Sequence, residues 1–541
     1  MSEGGGRGGA QGRWTPARSV AGRRNPWLII GVISIATFMV VLDSSIANVA
    51  LNHIAGSLSV SYDESTWVLT SFLVANAVII PISGWLADVI GRKRFYMISV
   101  ALFTVSSLLC GLASGLGFLL VARVFQGIGG GGTAPVEQSM IVDTFPPEKR
   151  SIAFAIYGVV VIVGPILGPS IGGWITDNYS WHWVFLINVP IGILSLALTS
   201  VLVDEPKALR DQRAAIRRAG LRVDYTGFVL EALFLGGLEI TLDRGQRYDW
   251  FANTTILVCA IVSGLSLLAL IPWELTRRDP IVRISMFGYR NFGIASVFML
   301  VVGMVVFSST QFLPQLLQEV MGYTAEEAGL ALTLGGVATL FVMPLAGVLT
   351  NRVDARILIG GGFLLQVFAF WHLTHLDAQM SFWDAAIARM YQSIGLPLLF
   401  IPINSLAYVG LRPEDSNQAS ALLNVARNLG GTIGISAVQT MLDRRSQVHQ
   451  AQYVETLNPL NPNYRHGIEQ MTQALMAHGH SQLEAARQAV ALLYRQLLQQ
   501  AAMLSYIDVF QVLMIVVLCA LPLVFLLRGQ SHGAQGEGAA L

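Results

Sequence analysis

A carboxylate at position 43 stands in the run Val40-Val41-Leu42-Asp43-Ser44-Ser45-Ile46, inside an apolar segment that extends from Trp27 to Leu51. In hydrocarbon such a group costs a few kcal/mol even on lenient insertion scales, so it must be neutralised, paired or wetted. Burial favours its protonated form and a nearby cation its charged form, and a group held between the two can take and release a proton. The plainer alternative is a fixed structural ion pair. Arg123, in another apolar segment, comes to a similar depth if the two helices are antiparallel at a 1.5 Å rise per residue. A guanidinium keeps its charge, so Arg123 can tune or replace the proton on Asp43 but cannot carry one. The pair therefore suggests one carboxylate serving substrate or proton, but not both; snorkelling of Arg123 to lipid headgroups is the alternative. Glu137 lies fourteen residues beyond Arg123, close to four turns, and so on the same helical face. It is a second proton or cation site if it faces a cavity and a solvated mouth residue if it does not. Glu231 and Glu239, further along, are assigned no role.

The elements that must position these groups are read from hydropathy. Apolar residues make up 53% of the 541 and charged residues 12%, against roughly 25% charged in a soluble domain. The apolar residues fall in long blocks, each sufficient to cross ~30 Å of hydrocarbon as a helix of about 20 residues. Backbone groups in lipid need internal partners, which excludes open sheet, and the blocks lack the short alternation of barrel strands. The expected fold class is an all-α polytopic membrane protein with 14 transmembrane helices. Lys and Arg fix its orientation: 24 fall on the side of the termini and seven on the other, so both termini are expected in the cytoplasm.

Two matches at nearly one offset divide the chain. Arg123-Val-Phe-Gln-Gly-Ile-Gly resembles Arg389-Met-Tyr-Gln-Ser-Ile-Gly, and Pro81-Ile-Ser-Gly-Trp-Leu-Ala-Asp resembles Pro344-Leu-Ala-Gly-Val-Leu-Thr-Asn. Parallel repeats with a site between them at mid-membrane are a transporter architecture. The expected organisation is a disordered cytoplasmic tail (1–26), an N-terminal six-helix bundle (27–203) and a basic cytoplasmic loop (204–223). Two inserted transmembrane helices (224–275), a cytoplasmic loop (276–290) and C-terminal bundle helices 9–13 (291–441) follow. A periplasmic loop (442–502), helix 14 (503–527) and a cytoplasmic tail (528–541) complete the chain. Within the long loop, residues 483–497 have helical periodicity, suiting either a docking hairpin or a surface cap.

Gly127 and Gly129 to Gly132 permit close helix approach. Gly164, Pro165, Gly168, Pro169, Gly172 and Gly173 form a glycine–proline face whose prolines remove backbone donors and favour a bend, as a moving element requires. No Gly-Lys-Ser/Thr follows either run, so a phosphate loop is discarded. Asp88 and Arg92 are four apart at a helix end, where they can pair or latch the halves in one state. The three cysteines lie in apolar blocks without metal or disulfide spacing, and His466, His478 and His480 read as solvated. No nucleophile, metal or cofactor constellation is found, so an enzyme and a bound cofactor are not expected. A net charge of +1 gives no reason to expect nucleic acid as a partner.

Together these residues resemble the major facilitator superfamily, in its 14-helix drug:proton antiporter branch of the EmrB/QacA type. Leu42-Asp43-Ser44-Ser45-Ile46-Ala47-Asn48-Val49-Ala50-Leu51 is similar to the family's first-helix signature, and Gly84-Trp85-Leu86-Ala87-Asp88-Val89-Ile90-Gly91-Arg92-Lys93 to that of loop 2–3. Arg123 with Gln126-Gly127 resembles the helix 4 motif, the Gly164–Gly173 face the antiporter motif, and Trp181-His182-Trp183 through Asn188-Val189-Pro190 a further family-like stretch. The resemblance implies proton-driven export of amphipathic or cationic drugs from the inner membrane, with Asp43 and Arg123 coupling. The loop 2–3 residues Gly84, Asp88, Gly91 and Arg92 read as a cytoplasmic gate. The resemblance also implies a periplasmic adaptor (a membrane fusion protein) and an outer-membrane channel as partners. Export of a dedicated metabolite, such as a siderophore or fatty acid, and a non-transporting sensor with the same fold are the other readings.

Overall fold

The computed structural model describes residues 25–204, 224–277, 280–375, 381–412, 415–458 and 460–527, and every regular element among them is a helix. The terminal tails up to residue 24 and from 528, and the basic loop from 205 to 223, lie outside the described residues.

The N-terminal half comprises α1 (Pro26–Val49), α2 (Trp67–Ile90), α3 (Arg92–Gly111), α4 (Leu116–Gly131), α5 (Thr133–Thr144), α6 (Pro147–Asn178), α7 (His182–Leu186) and α8 (Asn188–Leu202). Two helices follow, α9 (Tyr225–Arg244) and α10 (Thr254–Thr276). The C-terminal half has α11 (Arg290–Gln315), α12 (Ala325–Thr350), α13 (Ala355–Leu373), α14 (Phe382–Ala407), α15 (Ser416–Thr456), α16 (Pro462–Ala477) and α17 (Gln482–Ala520). Local chemistry sets their ends. The Asn25 side chain accepts the Trp27 amide before Pro26 starts α1, and Gly91 takes φ 102° to turn α2 into α3, a conformation that favours glycine.

Among the described residues eleven helices are long and apolar enough to cross a membrane. Three further segments expected to span are also helical. One is α4 followed by α5, which divide at Gly132 into pieces of 16 and 12 residues; the others are the 32-residue α6 and the 41-residue, more polar α15.

The repeat seen in the sequence is also a repeat of packing. In the N-terminal half α1 lies on α6 and α2 on α4; in the C-terminal half α11 lies on α15 and α12 on α14. The halves meet through a symmetric pair of contacts, α12 with α6 and α2 with α15, while α9 of the insertion touches both α2 and α15. Glycines of α4 make close approaches. A Cβ at Gly129 would lie 2.6 Å from the Phe103 amide nitrogen, and one at Gly127 2.8 Å from the Ala75 Cβ.

The segment 442–502 differs from a loop. α15 runs to Thr456, α16 packs on α17, and α17 is already helical from Gln482. At ~1.5 Å per residue α15 is about 60 Å long, twice the hydrocarbon thickness. Hydropathy falls beyond Leu442, where many side chains are exposed or only half-buried, yet Gln, Ala, Leu and Arg continue to favour helix. At the base of this hairpin Arg445 Nε donates to Asp508 Oδ2 (2.6 Å), with His449 Nε2 2.7 Å from the same oxygen.

Candidate functional site

A cavity of about 820 Å³ separates the two halves. Its floor is apolar and polar by turns, with Thr37, Val40, Met343, Phe400 and Asn424; its walls continue to Tyr62, Gln246, Gln315 and Asp443, at the end opposite the chain's entry and exit. At the near end the halves are closed. Asn417 Nδ2 donates to Asp88 Oδ1, Arg92 pairs with Asp143 and donates to Ser416 Oγ (3.0 Å), and Ser139 Oγ donates to Ser420 Oγ (3.0 Å). Deeper, Asn424 Nδ2 donates to Gln138 Oε1 (2.8 Å). A Cβ at Gly84 would lie 3.1 Å from the Asn417 carbonyl oxygen, so this residue sets how closely α2 meets α15. Asp88 and Arg92 thus reach across to one helix of the other half, and the ion partner of Arg92 is Asp143.

Asp43 and Arg123 are both fully buried, 0% exposed. Arg123 Nη1 donates to Asp43 Oδ2 at 2.7 Å, and the carboxylate also accepts from Gln126 Nε2 (2.9 Å) and Asn188 Nδ2 (2.7 Å) at Oδ1. The guanidinium is held in turn: Nε donates to the Val68 carbonyl (3.0 Å), Nη1 also to Gln126 Oε1 (2.6 Å), and its Cζ lies 4.3 Å from the Phe72 ring centroid. Snorkelling is therefore not what this arginine does. Three donors to one buried carboxylate offset the cost of removing it from water, whereas removing one partner of such a pair costs about 3–5 kcal/mol. In the sequence Asn188 belongs only to a family-like stretch; its amide, on α8 and four helices beyond Arg123 on α4, cannot be identified as a ligand of Asp43 by spacing.

Neither member of the pair is among the residues lining the cavity, although Val40, Val41 and Ser44 on the same helix are. Direct competition between substrate and proton at one exposed carboxylate is not the geometry found in this state. What lies beside Asp43 is the glycine face of α6. A Cβ at Gly164 would come 2.8 Å from Val41 Cγ1 and one at Gly172 3.0 Å from Ile46 Cγ2, while one at Gly168 would collide with Ser45. Ser45 Oγ donates to the Pro165 carbonyl at 3.4 Å, and Gly173 faces open space. Without side chains at 164, 168 and 172, α6 lies directly on the stretch of α1 that carries Asp43.

Glu137 is fully buried as well, accepting from Thr37 Oγ1 (2.6 Å) at Oε2, with no hydrogen-bond partner at Oε1. It sits behind the floor: Thr37, Thr133, Ala134 and Pro135 line the cavity and Glu137 does not. Thr37 lies six residues, ~9 Å along α1, from Asp43. Glu239, given no role from sequence, lines the cavity and accepts from Thr432 Oγ1 of α15 (3.0 Å). The inserted helix α9 is part of the wall, which its place in the chain between two repeats did not reveal. No group of His, Cys, Asp or Glu among the described residues could hold a metal ion.

The sequence model described as "Major Facilitator Superfamily" matches residues 33–435. The chain is 38% identical over 509 residues, 94% of its length and 96% of the relative's, to "Multidrug export protein EmrB" of Escherichia coli (strain K12). It is 34% identical over 510 residues to "Fatty acid resistance protein FarB" of Neisseria gonorrhoeae, covering 94% of this chain and 97% of that one. Among solved structures, the human organic anion transporter MFSD10 (TETRAN) superposes with a TM-score of 0.56 at 12% identity, over 92% of this chain and 100% of that one. That likeness concerns the fold alone.

Proposed function

We propose, from the premise that this chain belongs to the major facilitator superfamily and is an integral multi-pass membrane protein, that it is a proton-coupled antiporter exporting amphipathic or cationic drugs by alternating access. The observation that carries the reading is the buried Asp43–Arg123 pair behind the cavity wall and against the glycine face of α6.

The coupling follows from charge. A proton arriving on Asp43 removes the partner of a guanidinium that cannot neutralise itself. The uncompensated cation is then worth several kcal/mol of strain, enough to bias a two-state helix arrangement. α1 transmits that strain to α6, which packs on α12 and α14 of the opposite half. Rocking of one half against the other would then close the far end of the cavity and open the gate at Asp88 and Arg92. A membrane potential of 100 mV adds about 2.3 kcal/mol for each net charge moved.

The excess of Lys and Arg on the side of the termini supports cytoplasmic termini in an inner membrane. The closed gate then faces the cytoplasm and the cavity opens outward, a state after substrate release. The helical hairpin of α15, α16 and α17 projects on the outer side, where it suits a periplasmic adaptor leading to an outer-membrane channel. Export of a dedicated metabolite such as a fatty acid is the second reading, favoured by the relative named for fatty acid resistance. Everted membrane vesicles carrying the chain test the first: compounds that are substrates release protons from an acidified lumen, and a chain that releases none with any of a broad panel is not a drug:proton antiporter.

A further inference from the structure

The C-terminal half contains a second arginine built like the first but without its acid. Arg389 and Arg123 stand 266 residues apart, and so do Ser309 and Asp43. The equivalence extends to the bonds. Arg123 Nη1 donates to Asp43 and to Gln126 Oε1 (2.7 and 2.6 Å); Arg389 Nη1 donates to Ser309 Oγ and to Gln392 Oε1 (2.9 and 2.7 Å). Arg389 Nη2 donates further to Thr310 Oγ1 (3.1 Å), and Nε has no hydrogen-bond partner. Its partners are all neutral. One residue change within the repeat, acid to serine, leaves a full positive charge 8% exposed in a membrane protein.

Unlike Arg123, Arg389 lines the cavity. A guanidinium has five N–H donors. Three are occupied by Ser309, Gln392 and Thr310; of the other two, the one on Nε is unpartnered but shielded by protein, which leaves one on Nη2 for an oxygen of a carboxylate or sulfonate. Val306, Phe307, Leu332, Leu396 and Phe400 line the same cavity and offer an apolar wall. The cavity's carboxylates, Glu239 and Asp243 on α9 and Asp443 on α15, are already bonded, to Thr432, to Thr70 and Arg244, and to Gln439.

We propose that Arg389 is the headgroup subsite for amphipathic anions, freed for that task because Ser309 stands where the coupling half has its acid. The inference rests on reading the cavity as the substrate path and narrows its substrates to include apolar carboxylates. Binding to an uncharged wall alone would not distinguish an acid from its amide; a desolvated guanidinium does.

The test uses the full chain in lipid nanodiscs at pH 8, with empty nanodiscs as background. Fluorescence titrations compare 11-(dansylamino)undecanoate with its uncharged primary amide, so the ratio of the two affinities is read without any proton gradient. Wild type is expected to prefer the acid at least tenfold. Arg389→Gln and Ser309→Asp, which rebuilds the neutralised pair of the other half, should each bring the ratio below two, and Arg389→Lys should restore part of it. Retained amide binding shows that a variant is folded, and either folded variant suffices for the comparison. Equal affinities in wild type overturn the proposal, as does a full preference surviving in a folded Arg389→Gln or Ser309→Asp. A preference that follows Arg389 in a protein that moves no protons would sink the antiport reading and leave this subsite standing.

Discussion

Asp43 and Arg123, eighty residues apart in the chain, meet at 2.7 Å in a site to which neither exposes any surface. The carboxylate is satisfied three times over, while the guanidinium retains one unpartnered nitrogen, Nη2. The pair is thus stable in the charged state and intolerant of losing the acid's charge, which is the property a coupling site requires.

The donors around Asp43 hold the buried pair together. Asn188 and Gln126 both hydrogen-bond the carboxylate. Asn188→Leu removes one such donor, and a hydrogen bond to a charged group is worth about 1.5–3 kcal/mol net. The variant should unfold at a lower temperature in detergent and release protons with substrate several-fold more slowly than wild type; wild-type values of both contradict the assignment.

The glycine face of α6 should be intolerant of bulk where it touches α1 and tolerant where it does not. Gly168→Val places a side chain into Ser45, and overpacking of this kind costs about 1–3 kcal/mol. Gly173→Val adds its side chain at open space, since a Cβ there meets no neighbouring atom within 4 Å. Thermal unfolding in detergent should therefore fall by several degrees for the first and stay near wild type for the second, and export should be lost only in the first.

The gate should hold the halves closed at the end that bears the termini. Arg92→Ala removes the cross-half bond to Ser416 and leaves Asp143 without its cation. The expected result is a shift toward the state open at that end. A single cysteine at Gln315, on the cavity's far wall, should then be labelled several-fold more slowly by an impermeant maleimide. Labelling at an unchanged rate would mean that these bonds do not decide the state.

The fold was legible in the sequence to the extent that hydropathy and repetition encode it. Asp43 and Arg123 stood out because a charge in an apolar block needs a partner, and their comparable depth followed from helix rise alone. Asn188 did not stand out, since an amide in a helix has many ordinary uses and its direction depends on how α8 packs against α1. Glu137 was placed on the face of Arg123, yet it faces Thr37 rather than the cavity. Glu239 was passed over for the opposite reason: an inserted helix need not touch either repeat, and only packing reveals that α9 touches both. Beyond Leu442 the helical periodicity of 483–497 is legible, but the unbroken continuation of α15 and α17 is not, because hydropathy reports where lipid ends, not where a helix does. Ser309 is the most instructive case. Nothing about a serine in an apolar run draws attention until its counterpart is seen to be the one acid that neutralises Arg123.

Asp43 is proposed as the carrier of the coupled proton. Everted vesicles containing wild type or Asp43→Asn, energised and followed with a pH-gradient dye, are challenged with lipophilic cations, neutral antibiotics and weak acids. Dye dequenching by particular compounds is expected with wild type and none with Asp43→Asn, although the variant inserts at wild-type levels and still binds those compounds. Proton release by Asp43→Asn at the wild-type rate would contradict that role.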